Sequence, residues 1–202
     1  KGISKISKLL KSLQLSGLSE VEKVRKVENY VKSHFTIEEG YSDSYEDLKE
    51  ILSKHVANER GLTKLYMSCW HELGIESQIV FACKRSEGFI DPDFSNVMDI
   101  NEILFYFPHL NQYLTVGLPY TRLGAAPDDF ADSHALFIQY TTLENNIALF
   151  DRCLVKKIEP MDYKDNNLGV RASVTFPTIQ MPEVVQENFW QGYRAVEYRG
   201  YY

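Results

Sequence analysis

The chain has 202 residues, 44% apolar and 25% charged, with a formal net charge of −6; that length supports one substantial core, or one domain with a small appendage. No apolar run reaches the roughly 20 residues of a membrane-spanning helix, and the acidic balance argues against nucleic acid, whose phosphates need a concentrated basic face. Cys69, Cys83 and Cys153 show no metal-ligand spacing and make no even-numbered disulfide framework. The chain starts at Lys1 without an initiator methionine or apolar leader and ends on Tyr201 and Tyr202, so it is expected to be a piece of a longer precursor.

The first third predicts helices. Lys1, Lys5, Lys8 and Lys11 alternate with apolar residues at helical spacing and form a solvated helix face. Ser19 and Glu22 have the spacing of a capping box, followed by Val21, Val24, Val27, Val31 and Phe35 on one stripe, with Gly40 ending the unit. Ser44 and Asp47 start a second helix with Leu48, Ile51 and Leu52 inward. The stretch NERGLTKLYMSCWHELGI, Asn58 to Ile75, is a third helix stopped by Gly74. Its Leu62, Leu65, Tyr66, Cys69 and Leu73 fall at the intervals of a buried stripe, which predicts Cys69 as a packed, inert thiol. Cys83, late in the next element, is a similar case.

After Gly74 the pattern turns to strands. Residues 76–83 are expected as one strand, and 102–107 and 112–115 as a pair around Pro108-His109-Leu110-Asn111. A longer pair follows at 134–142 and 147–151, joined near Asn145-Asn146. Helices first and antiparallel strands after make an α+β domain, helices packed on the sheet. The expected division is 1–160 for that domain and 161–202 for a C-terminal β segment, or the start of a following domain. DYKDNN is a linker turn, and strands are expected near 168–176 and 193–199, the terminal GYRAVEYRGYY being an amphipathic strand rather than a docking segment.

The order of helix, Gly-Ile, strand and antiparallel sheet resembles the transglutaminase-like family, whose core is shared with papain-like cysteine proteases. In the exported bacterial branch of that family the nucleophile helix runs roughly N-C-x-D-x-A-x-L and closes on Gly-Ile; Leu65, Leu73, Gly74 and Ile75 fit. Further on, Ile100-Asn101-Glu102 stands where the family has F-N-H, and Tyr113-Leu114-Thr115-Val116-Gly117 where it has Y-L-D-P-T. Leu123-Gly124-Ala125-Ala126-Pro127 echoes a later G-x-L-P segment. The match covers roughly residues 20 to 160. In the family, cysteine attacks an acyl carbon, histidine moves the proton and aspartate orients the histidine. The resemblance puts Glu59, Glu102 and Thr115 at those three positions. Glutamate, with a pKa of ~4.3, is ionised at neutral pH and a poor nucleophile toward an amide, although a helix N-terminus stabilises a carboxylate as it would a thiolate.

A relocated triad needs His134 and Asp151 together. With Asp151 paired opposite Tyr140, six residues from His134, they stand roughly 20 Å apart along the strand. His55, His71 and His109 lack ligand spacing. The resemblance therefore implies a catalytically inactive transglutaminase-like domain with no catalytic residue, metal or cofactor. It would act as a scaffold or binding module in a larger exported bacterial protein, extracytoplasmic and either periplasmic or at the cell surface. The expected partner is a protein, peptide or glycan, with no membrane insertion. The main rival is an active papain-like hydrolase or acyltransferase using Cys69 or Cys83. A further alternative makes Glu59 and Glu102 an acid–base or cation site, their repulsion relieved by a retained proton or by a cation from Arg60 or another basic side chain.

Overall fold

The structure, a computed structural model, describes residues 2–92, 100, 102–142, 148–179 and 181–200. Helices α1 (Gly2–Ser12), α2 (Glu20–His34), α3 (Asp43–Glu46), α4 (Leu48–Lys54) and α5 (Glu59–Leu73) come first. Two-residue strands β1 (Thr36–Ile37) and β2 (Val56–Ala57) pair in parallel between them. The Ser19–Glu22 capping box forms as expected. The second expected helix is split: Asp47 caps α4, its side chain accepting the Lys49 and Glu50 amides.

Strands β3 (Gln78–Ala82), β4 (Glu102–Phe107), β5 (Gln112–Thr115), β6 (His134–Thr142) and β7 (Ala148–Lys157) make one antiparallel sheet in the order β5-β4-β3-β6-β7. The fold is thus α+β, helices on an antiparallel sheet, as the sequence pattern implied. Successive side chains point to opposite faces, and both faces are covered, so β3, β4 and β5 are buried nearly throughout. Ile79, Phe105, Phe107, Leu114 and Ile138 join the helices in one core, while Val80, Leu104, Tyr113 and Phe137 meet Ala126, Phe130 and Ile158 on the other face. At the centre Trp70 of α5 stacks on Tyr66 at 5.6 Å and meets Phe107 edge-on at 5.4 Å.

Two close contacts fix the start of α5 and the rim beside it. Asn58 caps α5, its Oδ1 accepting the Gly61 amide at 2.8 Å. A Cβ at Gly61 would overlap the Tyr45 carbonyl oxygen, so only glycine lets α3 approach this turn. On α2, Glu28 and Lys32 form a buried ion pair at 2.8 Å, with 1% and 5% of their side chains exposed. Lys32 Nζ also donates to the carbonyl and hydroxyl of Thr121, each at 2.9 Å, and Glu28 Oε2 accepts the Leu123 amide at 2.9 Å. Burial pulls the Lys32 pKa down, and Glu28 opposes that shift. The pair is satisfied on both sides, the condition for burying charges, and it ties the 118–123 loop to α2.

The C-terminal part differs from expectation. Strand β8 (Leu168–Thr178) pairs with β9 (Met181–Trp190) as a separate two-stranded ribbon, and α6 (Tyr193–Gly200) is a helix where a strand was expected over 193–199. Gly192 at φ +69 breaks the extended chain. Arg194 then pairs with Glu197 at 2.9 Å across one helical turn, and the Tyr193 hydroxyl accepts the Met161 amide. Residues 181–190 went unread as a strand because Pro182, Glu183, Gln186, Glu187 and Asn188 dilute the alternation. β7 runs six residues past the expected 151, and a bulge between Gln139 and Tyr140 sets Tyr140 opposite Phe150 rather than Asp151. The expected turn at Asn145-Asn146 lies outside the described residues.

The ion pair yields a stability prediction. Lys32→Met, which leaves the Glu28 carboxylate buried without its cation, is expected to lower unfolding free energy by about 3–5 kcal/mol in urea titration. A loss under about 1 kcal/mol would mean the pair behaves as a solvent-exposed one.

Candidate functional site: a carboxylate-lined cleft

Three elements converge on the N-terminus of α5. Glu59 is its first residue, half-buried. Its Oε1 accepts the Ile103 amide of β4 at 3.3 Å. Glu102, one residue earlier on β4, is 9% exposed. Gly117 lies just past β5, and a Cβ built there would stand 3.1 Å from Glu59 Oε1 and 3.7 Å from Glu102 Oε2. Both carboxyl groups therefore crowd one point, and those oxygens are within about 7 Å of each other, inside a Debye length at ordinary ionic strength. The sequence alignment expected the two glutamates to face one another, and the fold brings them together.

Their environments separate them electrically. Glu102 Oε1 pairs with Lys84 Nζ at 3.0 Å, and the pair raises the lysine's pKa. Glu59 has the Ile103 amide and the weaker pull of the Lys84 charge, against burial and the Glu102 charge; its pKa rises from an ordinary 4.5 to about 7, with burial the larger cause. One carboxyl is paired with a lysine, and its neighbour holds a proton close to neutrality. Arg60, the basic side chain the sequence suggested as counter-ion, instead lies over the Tyr41 ring at 5.2 Å. Neither Lys84 nor Gly117 carries a motif; each acts through chain geometry, Lys84 following the strand end and Gly117 sparing space for the carboxylates.

The cleft above this pair has a volume of about 370 Å³ and is bordered by Glu38, Glu39, Tyr41, Asn58, Arg60 and Leu118 as well as the two glutamates and Gly117. Thr115 is 2% exposed, opposite Leu104, so it stands one diagonal from Glu102 across the β4–β5 pair. Asn101 lies outside the described residues.

The remaining candidates stand apart. Cys69 is fully buried in α5 and burial pushes its thiol up to about 12. Cys83 is buried, its thiol donating to the Lys84 carbonyl at 3.4 Å, and Cys153 is exposed on β7. His134 pairs with Lys157 at one end of the β6–β7 ribbon, whereas Asp151 accepts the Thr141 hydroxyl near the other. His109 bridges Glu20 and Glu76 at the surface, and His55 packs on Phe35. Among the described residues, no three His, Cys, Asp or Glu side chains group as a metal site.

Residues 8–106 match the family model described as the Transglutaminase-like superfamily. That segment runs from α1 to β4 and takes in both Glu59 and Glu102. No curated protein and no solved structure matches the chain. The α+β arrangement of helices on an antiparallel sheet agrees with a transglutaminase-like core.

The raised pKa sets a pH dependence. Glu59 is protonated in the fold while the unfolded chain ionises, so the contribution of this group to stability falls as pH rises from about 4.5 to about 7 and does not change above that. Glu59→Gln retains an acceptor for the Ile103 amide and removes this loss. It is expected to raise stability at pH 8 by about 1–2 kcal/mol, the shift being discounted for the half-exposed group. Chemical denaturation at several pH values checks this; equal midpoints for the two proteins at pH 8 would contradict it.

Proposed function

We propose that this chain is a catalytically inactive transglutaminase-like domain that serves as a binding module or scaffold within a larger exported bacterial protein. The observation that carries the reading is Glu59 at the first position of α5, with no thiol in the cleft among the described residues. A carboxyl that holds its proton near neutrality and is already occupied by a backbone amide is a weaker nucleophile still than a free carboxylate. On this reading the resemblance puts Glu59 where the family has its thiol, and shape and charge are what the cleft offers. The extracytoplasmic location, periplasmic or at the cell surface, rests on the resemblance to exported bacterial members of the family. A protein, peptide or glycan is the partner class. The exposed Leu168, Val170, Val174 and Val184 on one face of the β8–β9 ribbon support a role in contact with other molecules.

A second reading is favoured by the separation of the two carboxyls. A protonated Glu59 beside an ionised Glu102 is the arrangement of a proton donor and a charge-stabilising partner, so the cleft could carry acid–base chemistry or hold a cation. Calcium or magnesium titration followed by the midpoint of unfolding distinguishes it, because a cation bound between the glutamates would raise that midpoint.

The main reading is tested with thiols and with turnover. In the native chain only Cys153 should react rapidly with a maleimide, Cys69 becoming reactive on unfolding. Incorporation of a fluorescent primary amine into a glutamine-containing protein should stay at the level without protein. Stoichiometric native labelling of Cys69, or turnover abolished by Cys69→Ser or Cys83→Ser, would overturn the proposal.

A further inference from the structure

The face of the sheet turned away from α5 carries a second cavity of about 480 Å³. Three aromatic side chains line it, Tyr106 partly exposed and Tyr113 and Phe137 showing only their edges at 8% and 4% exposure. Tyr106 and Tyr113, neighbours across β4 and β5, have ring centroids 4.9 Å apart and inclined at 40°, and Phe137 of β6 meets both edge-on at 5.6 and 6.4 Å. The Tyr106 hydroxyl donates to Asn111 Oδ1 at 3.0 Å, so the β4–β5 turn forms one edge. The opposite wall is the chain leaving β7, with Glu159, Asp162 and Asp165. That wall is held in place by the Tyr193 hydroxyl on the Met161 amide and by the Asp162 cap on Lys164. Lys156 lies 5.4 Å over the Phe137 ring.

One atom in this lining has no satisfied role in the fold. Gln112 Oε1 is buried and accepts no hydrogen bond from the described residues. A buried acceptor left unpaired costs free energy, and the residue that carries it is part of the lining of a cavity large enough for a ligand.

We propose that this cavity is a saccharide-binding site. A pyranose has C–H faces that pack on aromatic rings and a rim of hydroxyls that both donate and accept. The cavity has the complement: the aromatic side chains, amide groups of Asn111 and Gln112, the carboxylates of Glu159, Asp162 and Asp165, and the ammonium groups of Lys156 and Lys157. Turning of the Gln112 amide toward the cavity would give its oxygen a hydroxyl donor. A phosphate-bearing ligand would face three carboxylates, a simple cation would face Lys156 and Lys157, and a purely apolar ligand would leave Gln112 and the wall carboxylates desolvated and unpaired. The site shares no residue with the Glu59 cleft and stands whichever function that cleft has.

The test uses chitotetraose, cellotetraose and maltotetraose, each up to about 10 mM, a concentration that reveals even millimolar affinity. Binding is followed by saturation-transfer-difference NMR on the whole chain. At least one of the three should bind, and Tyr106→Ala should weaken it roughly tenfold or more. Gln112→Met should also weaken binding while leaving the unfolding midpoint unchanged or raised, because it removes an unpaired buried acceptor; a merely structural glutamine would lower the midpoint. Glu59→Gln should leave binding unchanged. Absence of binding by all three sugars, binding that survives both cavity substitutions, or binding lost with Glu59→Gln would overturn the assignment. So would occupation of the cavity by an aromatic or proline-bearing peptide with no response to any sugar.

Discussion

The start of α5 is where the chain's electrostatics are decided. Two carboxyl groups no more than about 7 Å apart at an effective dielectric of ~20 repel by roughly 2 kcal/mol or more when both are ionised, a large fraction of the stability of a domain this size. The fold divides the load: Lys84 takes Glu102, and Glu59 keeps a proton. Everything that positions the pair is rigid. Asn58 caps the helix, Gly61 admits α3 at contact distance, the Tyr66–Trp70 stack anchors α5 on the sheet, and the buried Glu28–Lys32 pair holds the loop that borders Gly117.

That arrangement gives a physical reason for a glutamate at this position. A helix N-terminus offers free amides and a positive dipole end to whichever anion stands there. In this chain the burial that accompanies the position is stronger than the dipole's help, and the result is a carboxyl poised near neutrality rather than a permanent charge. The cleft changes charge over the pH range in which most proteins work, so any ligand it takes is bound with a pH dependence centred on this one group.

Much of this was legible before any coordinates. The capping box, the buried stripe from Leu62 to Cys69, and the strands 102–107 and 112–115 all follow from local periodicity, and each formed where the pattern put it. The proximity of Glu59 and Glu102 followed from aligning the chain with a known fold, not from spacing, since 43 positions separate them in sequence. What escaped was non-local or one-sided. Lys84 reaches Glu102 only because β3 and β4 are neighbours in antiparallel register. β9 mixes polar and apolar residues because its ribbon is exposed along its whole length, with Arg171 and Glu187 paired across it, and α6 depends on Gly192 and on a hydroxyl contact to Met161. The second cavity joins β4, β5 and β6 to a segment past residue 158, a juxtaposition no local pattern records.

The measurement that bears most directly on the account is the site-specific titration of Glu59, followed by carbon NMR of its side-chain carboxyl in the folded protein. The account predicts a midpoint near 7, falling toward the ordinary carboxylate range when Glu102→Gln removes the neighbouring charge but not reaching it, because burial remains. A midpoint near ~4.3 in the unsubstituted protein would contradict it, showing Glu59 to be a solvated first-turn residue and the two carboxyls to be independent.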